Sequence, residues 1–190
     1  MELAWIELDT PLLSDVLDLA AHAGPVVVPL LLSRGTHLSR DLPVRAAPPL
    51  GPDPLLTEML LDRLHEAGIA PGRPLVLAAA GSDDPDGTLD VCRQAEMLEE
   101  SWRAPVRAGF VTSEPSLEAA AERARHAAAA YSGSPGKTPP AIVSYFLAPG
   151  RLPSSARPDT EHLGSHPALV ELVLMRYRAA APDGVTRLGL

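Results

Sequence analysis

The chain has 190 residues, 46% of them hydrophobic, and a formal charge of −8. That is enough apolar material for a core, and too acidic a balance for nonspecific nucleic-acid binding, which needs a basic footprint. One cysteine, Cys92, excludes an internal disulfide or a zinc finger and fits a reducing cytoplasm; the acidic start MELAWIELDT is not that of a signal peptide, and no apolar run approaches the ~20 residues of a membrane span.

In chain order, residues 3–8 (LAWIEL) read as a short strand. Thr10-Pro11 then looks like a helix cap with proline at the first helical position, leading a helix that ends near Gly24. Residues 26–32 (VVVPLLL) form an apolar run of the kind buried on both faces of a parallel sheet, closed by Ser33-Arg34-Gly35. Residues 43–50 hold at most an edge strand, because three prolines interrupt them. Asp53-Pro54 caps a helix that Gly68 ends, and residues 69–74 (IAPGRP) read as a linker. Beyond it come a strand at 75–80, the turn 81–85, a helix at 90–102, a strand at 106–111 and a helix from Glu114-Pro115 to about Tyr131. A loop at 132–140, a strand at 141–147, a loop at 148–157, a helix at 166–180 and a frayed end complete the chain. Strands alternating with helices predict an α/β fold with a mostly parallel sheet.

The chain also repeats itself. Leu50-Gly51-Pro52-Asp53-Pro54 with LLTEMLLDRL matches Leu163-Gly164-Ser165-His166-Pro167 with ALVELVLMRY, 113 residues later. PLLLSRG at 29–35 matches SYFLAPG at 144–150, 115 residues later, and the segment around Pro11 matches that around Pro115, 104 residues later. The order of units is the same, so two related halves are expected, at 1–70 and 73–190. The unit at 75–102 has no counterpart, which would fall before Met1, so the first half is expected to lack its opening strand and helix.

Chemistry-bearing residues concentrate just after the apolar run. Arg34, His37, Arg40 and Asp41 follow one another in eight residues, where a strand's carboxyl end would meet the ligand crevice of an open α/β sheet. A neutral imidazole can ligate a transition metal or accept a proton near neutral pH. A loop histidine without a role fits the spacing of His37 equally well. Glu7 ends the first predicted strand and is either a ligand or an ordinary strand-end carboxylate. Gly136-Lys137-Thr138 fails as a P-loop, since Tyr131 stands where the first glycine should and Pro139-Pro140 follow. His162 and His166 are four apart, but Gly164 intervenes and His166 aligns with the cap Asp53. Cys92, on a helix face, reads as a packing residue.

PLLLSRGTHLSRDLP at 29–43 resembles the second metal-site motif of the sirohydrochlorin chelatases of class II type. WIELDTP at 5–11 is similar to that family's strand-Glu-Pro segment. LAAAGSDDPD at 77–86, SYFLAPGRLP at 144–153 and LGSHPALVELVLMRY at 163–177 resemble the second half of its two-lobed actinobacterial members. The resemblance implies two tandem chelatase-like lobes, each a mostly parallel sheet flanked by helices, with the N-terminal lobe incomplete. It also implies a cleft for a tetrapyrrole and a metal held by two histidines and an acidic side chain. His37 and Glu7 occupy two of those positions. The family's His-Gly-Ser motif is absent, and Ala80, Leu152 and Val111 or Thr112 stand where metal residues would be in the second lobe.

The activity so implied is insertion of Co²⁺ or Fe²⁺, as substrate, into sirohydrochlorin in cobalamin or siroheme synthesis, with no organic cofactor. His37 and Glu7 would bind the metal and accept protons. Arg34, Arg40, Arg45 and Arg151 would meet the macrocycle's eight carboxylates, which arginine pairs bidentately. Each of these arginines, taken singly, also reads as a solvated loop residue. No nucleic acid or membrane partner is expected, the setting is cytoplasmic, and homo-oligomerisation stays open. The alternatives are a non-catalytic tetrapyrrole- or metal-binding relative and a degenerate fragment.

Overall fold

A computed structural model describes residues 1–35, 42, 46–132 and 138–181. His37, Arg40, Asp41, Arg45, the Gly136-Lys137 pair and the last nine residues lie outside the described residues. The core is a three-stranded parallel sheet of β1 (Leu75–Ala79), β2 (Val106–Phe110) and β3 (Ala141–Ser144), in the order β2-β1-β3. Leu75 registers with Val106 on one side and with Ala141 on the other. Every residue of β1 is buried, as expected of a central parallel strand covered on both faces. Leu75, Leu77 and Ala79 join the main apolar cluster with Val91, Ala95 and Leu98.

The flanking helices are α1 (Leu13–Ala20, followed by a 3₁₀ turn, Ala21–Ala23), α2 (Pro54–Glu66), α3 (Pro85–Trp102), α4 (Leu117–Ser132), α5 (Arg151–Ala156) and α6 (Pro167–Ala180). Helix α2 begins as the sequence dictates, with the Asp53 carboxylate accepting the Leu55 N–H and Pro54 in first place. Helix α3 begins at Pro85, earlier than the expected residue 90, because Asp84-Pro85 repeats that cap and Asp84 accepts the Asp86 N–H. His166 caps α6 through its ring nitrogen, 3.2 Å from the Ala168 nitrogen. Helix α5 replaces an expected loop. Its Pro153 is third in the helix, where a missing N–H forfeits no intrahelical bond.

The first half departs most from expectation. Residues 3–8 form no strand, only a single bridge between Trp5 and Leu12. Helix α1 starts after Leu12, not at Pro11, and no side chain caps it. Residues 26–32 likewise make one bridge, Val27 to Ala46, and leave Leu30 47% exposed. An extended segment becomes sheet only where a neighbour takes its N–H and C=O groups. Among the described residues, neither segment has a second neighbour.

The sequence repeat nevertheless recurs in three backbone bonds. The Trp5 N–H donates to the Pro11 carbonyl, and the Phe110 N–H to that of Pro115. Ala47 donates to Val27 as Asp159 does to Ile142, and Leu50 to Leu31 as Leu163 does to Phe146. The seam between α2 and α6 is reciprocal. Arg63 of α2 donates to the carbonyls of His162 and Leu163. Arg176 of α6, its counterpart 113 residues later, donates to those of Pro49 and Leu50. Arg176 also pairs with Asp53, and His166 with Asp62.

Candidate functional site

The carboxyl ends of the three strands open into a cavity of about 480 Å³. Ala79 to Asp83, Phe110, Thr112 and Tyr145 to Leu147 form its floor, and residues 30–35 cross over it. This is where an open parallel sheet places its ligands. The crossing segment belongs to the first half and the floor to the second, so the cavity is built by both.

Three sets of bonds hold that segment. The Leu31 carbonyl accepts the Leu50 N–H. The Leu32 carbonyl accepts the hydroxyl of Tyr145, 3.0 Å away. Tyr145 is buried, and burial together with the charges of Asp90 and Asp53 pushes its phenol up, so it stays a donor. Gly51 packs against this contact. A Cβ there would collide with both the Leu32 oxygen and the Tyr145 hydroxyl.

The third set is centred on Arg34. Its Nε and Nη2 donate to the two oxygens of Asp90 at 2.8 and 2.7 Å, and its backbone N–H donates to the same carboxylate at 3.0 Å. Its Nη1 donates to Asp86 at 2.8 Å. Burial disfavours the charge on Asp90, but the hydrogen bonds and positive charge of Arg34 outweigh it, so the carboxyl titrates below the usual range. Those same bonds raise the guanidinium further above any accessible pH. Gly87, in the first turn of α3, lets the Arg34 backbone lie on the helix. A Cβ there would collide with the Arg34 carbonyl oxygen.

The segment ends at Gly35, whose neighbour is the Ser82 hydroxyl of the β1–α3 turn. His37 is two residues further on, outside the described residues together with Arg40 and Arg45. Glu7 is exposed, and no hydrogen bond or ion pair among the described residues joins it to residues 30–35. Arg151 is exposed at the start of α5, and its carbonyl accepts the Ser155 hydroxyl. Arg34, read from sequence as a substrate contact, has its guanidinium on two carboxylates, with Asp84 adding a third nearby negative charge. Among the described residues no three His, Cys, Asp or Glu side chains gather into a metal-binding group. His166 serves as a cap and an Asp62 partner, and His162 lies beside Glu161.

Sequence reasoning missed Asp90 and Tyr145. Asp90 had a signal. It shares the α3 face of Val91, Gln94, Ala95 and Leu98, and a charge on an apolar stripe needs a partner. Tyr145 had none, since an aromatic residue in a predicted strand reads as core.

The model of the CbiX family matches the chain over residues 1–67 and 74–155. Among solved structures, SirB from Bacillus subtilis with Fe³⁺ superposes with a TM-score of 0.75 at 24% identity, over 96% of this chain and 82% of that one. CbiX, the terminal enzyme for biosynthesis of siroheme in denitrifying bacteria, does so with a TM-score of 0.55 at 18% identity, over 83% and 76%. No curated protein sequence matches. Both structural likenesses are of fold, and the family match spans most of the chain, with the α/β order and the cavity at the strand ends in keeping with it. The chain belongs to the CbiX family of sirohydrochlorin chelatases.

Proposed function

We propose that this chain inserts Co²⁺ or Fe²⁺ into sirohydrochlorin, with the macrocycle at the cavity over the strand ends and the metal on His37 and Glu7. The two halves, residues 1–70 and 73–190, would act as lobes on either side of the ring. The observation that carries the reading is the tethering of residues 30–35 across that cavity, a segment that ends two residues before His37 in the sequence. In this reading His37 and Glu7 hold the entering ion and take up the two pyrrole protons it displaces. Arg40, Arg45 and Arg151 meet the substrate's carboxylates. Arg34 acts instead as a positioning residue, because its donors are spent on Asp90 and Asp86. No helix among the described residues is long and apolar enough to cross a membrane, and we place the reaction in the cytoplasm.

One observation favours a second reading. With Ala80 and Leu152 at positions where the resemblance puts metal residues, and no metal-binding group among the described residues, the chain would bind the macrocycle or the ion without joining them. Anaerobic mixing of the protein with sirohydrochlorin and Co²⁺ or Fe²⁺, followed by absorbance, separates the two. Acceleration over the spontaneous rate, abolished in His37→Ala, is the expected result. Tight macrocycle binding with no acceleration would leave the carrier reading, and an unchanged rate in His37→Ala would remove His37 from the site.

A further inference from the structure

Helices α2 and α6 begin alike, but their caps differ in kind. Asp53 caps α2 with a carboxylate, which accepts the Leu55 N–H at 3.0 Å. Its counterpart His166 caps α6 with an imidazole, whose Nδ1 accepts the Ala168 N–H at 3.2 Å. A carboxylate accepts at any pH where it is ionised, and its negative charge suits a helix N-terminus. An imidazole nitrogen accepts only while it carries no proton. Histidine is also the side chain whose charge ordinarily changes between about pH 5 and 8.

The second ring nitrogen has a partner of the opposite preference. Because Nδ1 accepts from Ala168, the proton of the neutral ring is on Nε2. Nε2 lies 3.1 Å from an Asp62 oxygen on α2 and donates to it. The His166 side chain is 18% exposed, so both bonds are partly shielded from water. The surrounding charges are carboxylates or are already engaged. On α2, Glu58 and Glu66 stand one turn either side of Asp62, and Glu66 pairs with Arg63. The Nε and Nη2 of Arg63 are on the carbonyls of His162 and Leu163. Before α6, Glu161 lies beside His162, and Glu171 follows in the next turn of α6. A proton on Nδ1 therefore acts in opposite senses on the two bonds. It strengthens the bond to Asp62, which becomes an ion pair. It ends the bond to Ala168, because two N–H groups then face each other at a helix end that disfavours positive charge.

We propose that His166 is a two-position acid switch at the seam between α2 and α6. Neutral, it ties the first turn of α6 to α2 through Asp62. Protonated, it stays on Asp62 and releases that turn. Two residues before His166, Gly164 donates to the Leu147 carbonyl, and Leu163 donates to that of Phe146. Phe146 and Leu147 belong to the cavity floor, so the released turn adjoins the backbone that holds it. The inference stands apart from the chelatase reading.

Amide exchange in the full chain tests it, with each rate divided by that of an unstructured peptide at the same pH. Between about pH 8 and pH 5 the protection of Ala168 and Leu169 should fall about tenfold, the worth of one cap, while Leu55 and Leu56 behind Asp53 keep theirs. The ring nitrogen shifts of His166 should report the proton on Nε2 at the alkaline end. His166→Asn supplies a cap that does not titrate, and should hold Ala168 protected throughout. Asp62→Asn removes the partner that favours the protonated ring, and should move the loss of protection to lower pH. A neutral ring with its proton on Nδ1 would overturn the inference. So would protection of Ala168 that is unchanged by pH, or that falls equally in His166→Asn. Should His166→Asn fail to fold, the Asp62→Asn profile decides, and a loss at the same pH as in the unmodified chain would overturn it too.

Discussion

Asp90 is nearly buried and depends on Arg34 for its charge, which ties the site's geometry to acidity. Its carboxyl titrates lower in the folded protein than unfolded, so the stability it contributes is complete above about pH 4. That stability is lost as pH falls through the folded value. Asp90→Asn should therefore flatten this part of the acid limb when thermal midpoints are measured against pH. Tyr145→Phe removes one hydrogen bond and leaves the Leu32 carbonyl without it, at a cost of about 1 kcal/mol in urea unfolding. In the proposed reading, in which His37 holds the ion, both substitutions should also weaken Co²⁺ binding. Gly87→Ala should do so more strongly, because the added carbon must push the Arg34 backbone off α3; packing strain of this kind costs about 1–3 kcal/mol.

Among the elements, α2 has the most complete specification, and Asp53 shows why. Its carboxylate caps the helix, pairs with Arg176, and its backbone lies against Gln94. Asp53→Ala should cost about 1–2 kcal/mol, at the upper end for a cap, measured by chemical denaturation. The cap-proline signature made this helix legible in the sequence, and the aligned repeat made His166 legible as the cap of α6. The strands of the sheet were legible for a related reason: short apolar runs bounded by turn residues have no better place than a buried parallel sheet. Residues 26–32 carry the same signature and are not a strand, because sheet is a property of pairs and no residue announces whether its neighbour is there. Helix α5 was hidden by Pro153, which looks like a breaker unless its place in the first turn is known. The site was legible as a location, from Arg34-Gly35 onward, but not as a mechanism of support. The bond from Arg34 to Asp90 spans 56 residues and that from Tyr145 to Leu32 spans 113, and sequence periodicity reports only near neighbours.

On the scale of the molecule, the Arg63 and Arg176 clamps cross the seam in opposite directions, each with two carbonyls. Such a seam should make the two halves unfold as one. A single transition is expected by calorimetry for the unmodified chain, and it should stay single at a lower midpoint when Arg63→Ala and Arg176→Ala are combined, because α2 shares one apolar cluster with the sheet and α3. The tether across the cavity has a different consequence. Residues 30–35 are anchored chiefly to the end of β3 and to α3, so this segment is in effect a graft on the other half's framework. Residues 1–70 expressed alone would keep every residue of that segment and lose the bench on which it is clamped. Conversely, changes in β3 or α3 can shift where residues 30–35 lie over the cavity. The second half thus works as the jig in which residues 30–35 of the first are set.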